Sequence, residues 1–397
     1  MTKARILADY VAGGTTAAEF DYMDGVTSNV QTQMDAKLPL AGGTMTGDLV
    51  PATPMSHRNV IINGAMQVWQ RSDSTSMESV LNNNFKADRW RLNSDIQAAD
   101  LTCGRSTDVP AGQGFTNSMK VVPGGADTSI AAGHIATIVQ FIEAQDLQHL
   151  CYGTSNAKSL TLSFWVKTNL TGSHSVSFVK DDSTAYACPI EYTVDAANTW
   201  EKKEITLSPT AGSTSLITSA AGAIANDNGR GLAVCWNLAA GSTYQGTNNT
   251  WQAGPASGYG LATSNVQNFV GSTSNNIYLT GVQLEVGSNA TPYEHRSYAD
   301  ELLRCQRYYT EHDAGTYVLA YLNPIKGSTG ASDEYRRYMF YYPIRMRANP
   351  TVTATGDPGS ISINNPANKE YAHCAGDQGG DEGTVVNLRT VKADAEL

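Results

Sequence analysis

Residues 37–50, KLPLAGGTMTGDLV, constrain the fold of this chain more than any other segment. Pro39, Gly42, Gly43 and Gly47 fall within a few positions, and glycine and proline at this density end helices and form turns. The strand-like pieces that remain are too short to bury their own apolar side chains, which are Leu38, Leu40, Met45 and Leu49. The segment therefore predicts that copies from several chains wrap around a shared axis.

A short helical pattern precedes this segment. Phe20, Met23, Val26, Val30 and Met34 recur at spacings of three and four, which is the period of one helix face. A helix of this length is marginal alone in water and needs partners. We predict a brief trimeric helical stem; the alternative is a surface helix folded back on its own domain. The predicted stem contacts are Met23, Val26, Val30, Met34, Leu38 and Leu40.

The same region carries a resemblance to a known class of proteins. Residues 28–48, SNVQTQMDAKLPLAGGTMTGD, resemble the stem element of bacteriophage tail fibre and tail-spike-like virion proteins. Further stretches that resemble this class are residues 59–74 with 87–90, residues 278–309 and residues 341–353. The resemblance implies a homotrimeric fibre of the virion, assembled in the host cytoplasm. Roughly residues 1–25 would attach to a phage tail or baseplate protein, and the distal part would bind a host-surface glycan, lipopolysaccharide or another receptor.

Composition limits the class of fold and the partners. The 397 residues include 36 glycines, and only 16% are charged, a mixture that favours turn-rich β structure over helix bundles. The net charge of −10 argues against nucleic-acid binding, which needs a basic face. No stretch approaches the roughly 20 apolar residues of a membrane span, so we expect no membrane insertion. The six cysteines form no C-x-x-C pair, so a zinc ribbon is not indicated.

Residues 56–296 are predicted to form an antiparallel β-sandwich of jelly-roll type, similar to carbohydrate-binding modules. Leu160, Leu162, Phe164 and Val166 alternate with polar residues, as in a half-buried strand. In HIATIVQFIE, residues 134–143, both faces are apolar, which indicates a central strand. In residues 276–287 the apolar alternation changes phase at Gly281, and a β-bulge there restores the register.

Residues 297–397 are predicted to form a small β-rich tip domain with one helix. Ser297 and Asp300 fit a helix cap, and ADELLRCQRYY behind them has a helical pattern that extends to Tyr309. Strand candidates are residues 316–323, 337–346 and 385–391. The fold class is thus mainly β, with a stem over residues 1–55, the sandwich and this tip.

Two aromatic groups are candidates for receptor or glycan binding, because aromatic rings stack on sugar faces while polar side chains bind the hydroxyls. The first lies in a long loop and the second in the tip, where Arg336 accompanies the tyrosines. A tryptophan in a long loop often only anchors it, and that alternative is open for Trp251. The candidate residues are Tyr244, Trp251, Tyr259, Tyr335, Arg336 and Tyr341.

Enzymatic motifs are absent from the sequence: it has no G-x-S-x-G, P-loop or H-E-x-x-H. Glycoside hydrolysis needs two carboxyl groups across a cleft, and the acidic residues considered for it are Glu285, Glu294, Asp181, Asp182 and Glu191. Most of them fall in predicted turns or at strand ends, where a solvated role is expected. We predict a non-enzymatic adhesin without cofactor or metal. The alternatives are a polysaccharide depolymerase and a structural fibre segment without its own receptor site.

Overall fold

The computed structural model describes residues 57–71, 77–80, 84–96, 100–254, 260–313, 319–322, 324–325, 334–335, 337–357, 360–364, 369–377 and 386–396. The chain divides into two compact units, Met1–Ala52 and Thr53–Leu397, and every described residue belongs to the second. The predicted stem contacts lie outside the described residues, so the stem and the trimer remain predictions.

Two antiparallel sheets form the predicted sandwich. The six-stranded sheet contains, in spatial order, β1 (Glu78–Val80), β4 (Leu101–Ser106), β5 (Ser118–Pro123), β13 (Ile277–Val286), β7 (Leu160–Thr168) and β10 (Glu201–Leu207). The seven-stranded sheet contains β12 (Gln252–Ala253), β9 (Tyr186–Val194), β8 (Gly172–Lys180), β11 (Arg230–Ala240), β6 (Ile135–Glu143), β3 (Arg91–Ser94) and β2 (Asn84–Phe85). Short 3-10 helices lie at Ala144–Leu150, Ala211–Ser213, Ala220–Gly222, Ser242–Tyr244 and Phe269–Gly271. The predicted mainly β class with antiparallel sheets is confirmed.

The core lies between the two sheets and follows from the alternation of β7 and β11. Phe164 from β7 is fully buried and meets Trp236 of β11 with ring centroids 5.4 Å apart at 89°. Trp90 approaches the same indole at 5.6 Å. Each large side chain buried in this way stabilises the fold by about 1.5–3 kcal/mol, so these rings join the two layers.

Strand β6 is buried along its whole length, as its doubly apolar sequence predicts. It pairs with β3 on one side and β11 on the other. Ala136, Ile138 and Ile142 belong to the core between the sheets. Val139 and Phe141 belong to a separate apolar cluster on the outer face of the seven-stranded sheet.

The predicted bulge at Gly281 is confirmed. The pairing of β13 with β7 shifts register between Thr280 and Gln283, and Gly281 has a φ of +62°. A Cβ atom there would lie 2.6 Å from the ring of Phe115. Glycine is thus required both for the left-handed backbone and for the approach of that ring.

The helix α1 spans Tyr298–Gln306, and the Ser297 hydroxyl accepts a hydrogen bond from the Asp300 backbone N–H, as the cap predicts. The prediction that the helical face extends to Tyr309 is wrong. Tyr308 donates its backbone N–H to the carbonyl of Cys305, and Tyr309 begins strand β14, which spans Tyr309–Asp313. The helix ends because the chain turns into the C-terminal sheet at this point.

The C-terminal region is built around one long strand. β14 (Tyr309–Asp313) and β15 (Ala320–Leu322) pair with successive parts of β22 (Val386–Asp394), and β19 (Thr351–Asp357) pairs with its other edge. A second sheet has the order β18 (Arg337–Tyr341), β21 (Tyr371–Asp377) and β20 (Ser360–Asn364), and β16 (Pro324–Ile325) pairs with β17 (Glu334–Tyr335). The strand predicted over 337–346 thus ends at Tyr341, two residues before Pro343, because proline cannot donate to a ladder.

Charged side chains join the sandwich to the C-terminal region. Arg307, after α1, donates from Nε and Nη2 to the two carboxylate oxygens of Glu143, both at 2.8 Å. Arg71 contacts Glu396 at 3.2 Å, and Arg89 pairs with the same carboxylate. Glu143, Arg89 and Glu396 are almost fully buried, so these pairs fix the C-terminal strand against the sandwich.

Candidate functional site

The loop aromatics divide into one buried ring and one accessible ring. Trp251 is 1% exposed, and its Nε1 donates to the carbonyl of Ser208 at 2.9 Å. This burial corrects the prediction that Trp251 contacts a sugar and supports the loop-anchor alternative. Tyr244 ends the 3-10 turn Ser242–Tyr244 and is half-buried. Tyr259 lies outside the described residues.

In the C-terminal region, Tyr341 is 64% exposed. Its ring lies 5.9 Å from that of Tyr371, which stacks on His373 at 5.3 Å and 14°. Tyr335 lies in β17, but its side chain is outside the described part of the structure, and so is Arg336. Tyr341 therefore remains a candidate, as the exposed ring beside the half-buried Tyr371 and His373.

The outer face of the seven-stranded sheet carries a cleft, here called the first cleft, with a volume of about 270 Å³. Its floor follows β6 through the side chains of Ile135, Thr137, Val139 and Phe141. Tyr244 closes one side together with Leu261. The cleft also contains Arg91, Asn93, Asp95, Val179, Asp181, Ala233 and Cys235.

Strand register explains why these side chains meet. Val139 is paired with Arg91 on β3 and with Cys235 on β11. Because side chains alternate between the two faces of a sheet, paired residues share a face. Val139 and Cys235 therefore form an apolar row on the outer face, and Arg91 lies at the β3 end of that row.

Two arginines lie over the aromatic floor. The guanidinium carbon of Arg230 is 4.0 Å from the ring centroid of Phe141, and that of Arg91 is 5.2 Å away. Burial, reinforced by the neighbouring Arg230, lowers the pKa of Arg91, yet a guanidinium remains charged at neutral pH. Burial raises the pKa of the Cys235 thiol to about 12, so this cysteine is not a nucleophile.

The carboxylates of the cleft lie at its opposite ends. Asp95 accepts a hydrogen bond from the Ile135 N–H at 2.6 Å, whereas Asp181 is 3.6 Å from Arg230 and donates its backbone N–H to Gly231. Ile135 is the first residue of β6, and Arg230 on β11 is paired with Glu143, the last residue of β6. The two backbone positions are thus about eight residues apart, or about 26 Å at about 3.3 Å per residue. Glycosidase carboxyl pairs are about 5–10 Å apart. The geometry suits stacking and hydrogen bonding to a bound sugar rather than acid–base catalysis.

The other acidic candidates have structural partners. Glu285 accepts hydrogen bonds from the Thr291 N–H and hydroxyl at 2.8 and 2.7 Å. Glu294 accepts the backbone N–H of Asn59 at 2.9 Å. Asp182 accepts the N–H of Ala225. Glu191 accepts the Asn265 amide at 3.1 Å.

Of the side chains around the first cleft, sequence reasoning proposed Tyr244 as a binding residue and did not propose Phe141, Arg91, Arg230 or Asp95. The sequence signal that could have located this cleft is the second apolar face of β6, because only the other face packs in the core between the sheets. The arginines are separated by well over a hundred residues and meet only through strand pairing. Within the described residues, no group of three or more potential metal ligands occurs, and no helix there is long and apolar enough to cross a membrane.

Comparison with known proteins gives similarities at the level of solved structures. No protein-family profile and no curated protein matches the chain. The enzymatically active domain of tailspike protein 4 of bacteriophage CBA120 matches at 16% identity and a TM-score of 0.29, covering 58% of this chain and 21% of that chain. A putative sugar binding protein from Bacteroides thetaiotaomicron matches at 12% identity and a TM-score of 0.30, covering 58% and 100%. The family 11 carbohydrate-binding module of a Clostridium thermocellum cellulase matches at 12% and 0.26, covering 55% and 99%.

Proposed function

We propose that this chain is the receptor-binding subunit of a phage tail fibre and that its sandwich binds a host-surface glycan in the first cleft. The observation that supports glycan binding is the cleft itself, in which the half-buried ring of Tyr244 is combined with Asn93, Thr137 and Arg91, while Arg230 lies over the buried Phe141 ring. Such a combination provides stacking for the apolar face of a sugar and hydrogen bonds for its hydroxyls. The assignment to a virion rests on the resemblance of residues 28–48 to fibre stems.

The proposed assembly is a homotrimer attached to a tail or baseplate protein through its N-terminal residues. Three copies of a weak site on one shaft increase avidity through effective concentration. Light scattering on the intact protein tests this part, with a mass of about three times 42.4 kDa expected. A folded single chain at micromolar concentration would contradict it.

Binding by the first cleft is tested on a glycan array and by adsorption to sensitive cells. Replacement of Tyr244 or Arg230 with alanine removes a half-exposed contact and is expected to weaken binding about tenfold, because an aromatic or charged contact to a ligand contributes on the order of 1–2 kcal/mol. Tyr341→Ala is the matched control in the C-terminal region. Loss of binding by Tyr341→Ala alone would transfer the receptor site from the sandwich to that region.

The alternative activity is polysaccharide cleavage. The separation of Asp95 and Asp181 argues against a catalytic pair in the first cleft. Incubation with purified surface polysaccharide distinguishes the two functions, since an adhesin binds without releasing reducing ends. Release of reducing ends that persists in Asp95→Asn and Asp181→Asn variants would place an enzyme elsewhere in the chain. A protein that neither binds nor cleaves would fit a structural fibre segment.

A further inference from the structure

The opposite outer face of the sandwich carries another concave site. This second cleft has a volume of about 530 Å³ and lies on the six-stranded sheet, beside the Gly281 bulge. Its walls come from the segments before β5 and after β13. The side chains that matter for binding are Gln113, Phe115, Trp165, Lys202, Tyr293 and His295.

Aromatic rings converge in the second cleft. Phe115, Tyr293 and His295 are in mutual contact, with ring centroids 4.9–5.2 Å apart. A Cβ on Gly281 would lie 2.6 Å from Phe115 and 3.0 Å from Trp165. The bulge therefore allows the Phe115 and Trp165 rings to approach one backbone position, and Trp165 remains half-buried on the floor.

The same sheet face continues beyond the cleft as alternating rings and lysines. Trp165 is paired with Lys202 on β10, and Tyr278 on β13 is paired with Lys120 on β5 and with Lys167 on β7. The Nζ atoms of Lys120 and Lys167 lie 5.4 and 4.6 Å from the Tyr278 ring centroid. The Trp165–Lys202 pair and the Lys120–Tyr278–Lys167 row are thus neighbouring rows on one face, two residues apart along β7. A linear ligand that lies over both rows meets rings and cations.

The charges on this face bear on the kind of ligand that it binds. The three lysines are accompanied by Asp108, which pairs with Lys167 and accepts the Trp200 indole N–H at 2.9 Å. Lys202 pairs with Glu204 at 2.7 Å, but both side chains are exposed, at 37% and 51%. An exposed pair of this kind contributes little to stability, so a ligand carboxylate is able to replace Glu204.

The first cleft is different, since its two arginines are balanced by Asp95 and Asp181. The chain as a whole carries a net charge of −10. A third carboxylate on this face, Glu285, is buried and accepts hydrogen bonds from Thr291. The accessible charges are therefore the three lysines against Asp108 and Glu204. Complementarity of charge controls which polymers approach and bind.

We propose that the second cleft and the adjoining lysine–aromatic face bind an acidic polysaccharide. The pyranose rings would stack on Trp165 and Tyr278, and their carboxylates would contact Lys202 and Lys120. This inference rests on the proposed function in that both sites serve attachment to glycans. It adds a second site of different specificity on the opposite side of the sandwich.

The test uses the full chain and four acidic polymers, polygalacturonate, alginate, hyaluronate and polysialate, each beside its carboxyl-reduced form. Carboxyl reduction removes the charge and keeps the linkage. We expect at least one acidic polymer to bind in calorimetry and its reduced form to bind at least tenfold more weakly, since a charge-assisted contact contributes about 1.5–3 kcal/mol. Lys202→Ala should weaken binding by about tenfold. Lys203→Ala is the matched control, because Lys203 pairs with Asp195 and Glu201 rather than lining the cleft.

A Trp165→Leu variant, checked by its circular dichroism and Tm, should lose binding while keeping the fold. The Tyr244→Ala variant of the first cleft should retain acidic-polymer binding, so that failure of one site does not conceal failure of the other. Binding of none of the four polymers, equal binding of the reduced forms, or no effect of Lys202→Ala would each overturn the proposal. Concealment of the face by a second copy of the chain would do so as well and would be detected as protection of Lys202 from acylation in the assembled protein.

Discussion

The ion pair between Arg307 and Glu143 is expected to contribute more to stability than any exposed pair. Glu143 is at the end of the central strand β6 with a fully buried side chain, whereas the Arg307 side chain is 26% exposed. Removal of one partner from a buried pair costs about 3–5 kcal/mol, because the other charge stays buried without its counter-ion. Since water reaches Arg307, and Gln145 also donates to Glu143 at 2.6 Å, we expect Arg307→Ala to cost about 3 kcal/mol at pH 7.

The measurement is urea unfolding of the full chain followed by tryptophan fluorescence. Arg304→Ala is the control, since Arg304 lies 3.9 Å from Asp300, one helical turn away, whose side chain is 51% exposed, and such a pair contributes about 0.3–0.5 kcal/mol. An Arg307→Ala cost no larger than that of Arg304→Ala would refute the reasoning. Glu143→Gln, alone and combined with Arg307→Ala, completes a double-mutant cycle.

The pH dependence of the same pair has a defined sign. Burial alone would raise the pKa of Glu143, but hydrogen bonds from Arg307 and Tyr308 lower it below its ordinary value. A group with a lowered folded-state pKa stabilises the protein above its unfolded pKa, and this contribution is lost as the pH falls through the folded value. The cost of Arg307→Ala should therefore be larger at pH 7 than at pH 3.

Three further outcomes are expected. Gly281→Ala should lower the free energy of unfolding by about 3 kcal/mol. Gly112→Ala should cost about 1 kcal/mol, because Gly112 also has a positive φ but has open space around it. Equal losses of stability in thermal unfolding would contradict the steric argument. Trp251→Phe should cost about 1 kcal/mol through the lost bond to Ser208 and leave glycan affinity unchanged; a tenfold loss of affinity on the array would restore Trp251 as a contact residue. Burial raises the pKa of Asp88 to about 6, so its contribution to stability should decrease as the pH rises from about 4 to 6; an Asp88→Asn variant with an unchanged Tm slope over that range would contradict this.

The strands of the sandwich were predictable because their apolar alternation matches their burial. Leu160, Leu162, Phe164 and Val166 are all fully buried, and the phase change at Gly281 located the bulge. These signals are local, because the alternation of apolar and polar residues along one strand indicates which of its faces is buried. The end of α1 was missed because Tyr308 and Tyr309 fit a helical pattern, while tertiary contacts turn the chain into β14.

The candidate sites were less accessible to sequence reasoning. Trp251 and Tyr244 are close in the sequence and have similar polar neighbours. The burial of Trp251 and its hydrogen bond to Ser208 identify it as a loop anchor, whereas Tyr244 is half-buried and accessible. Arg91 and Arg230 converge on Phe141 through the pairing of β3, β6 and β11, which no local pattern specifies. A binding surface that crosses strands is defined by register, and register depends on the whole sheet.

Both clefts consist of side chains that lie outside the core between the sheets. The core therefore does not depend on them in the way that it depends on Phe164 or Trp236, which lie between the sheets. A cation over an exposed ring contributes only about 0.5–1 kcal/mol, so a ring such as Tyr278 adds little to folding through Lys120 and Lys167. Substitutions of Tyr244, Trp165 and Lys202, which are not fully buried, should consequently separate binding from stability. A variant set in which every loss of affinity followed a matching loss of Tm would show instead that these rings serve the fold.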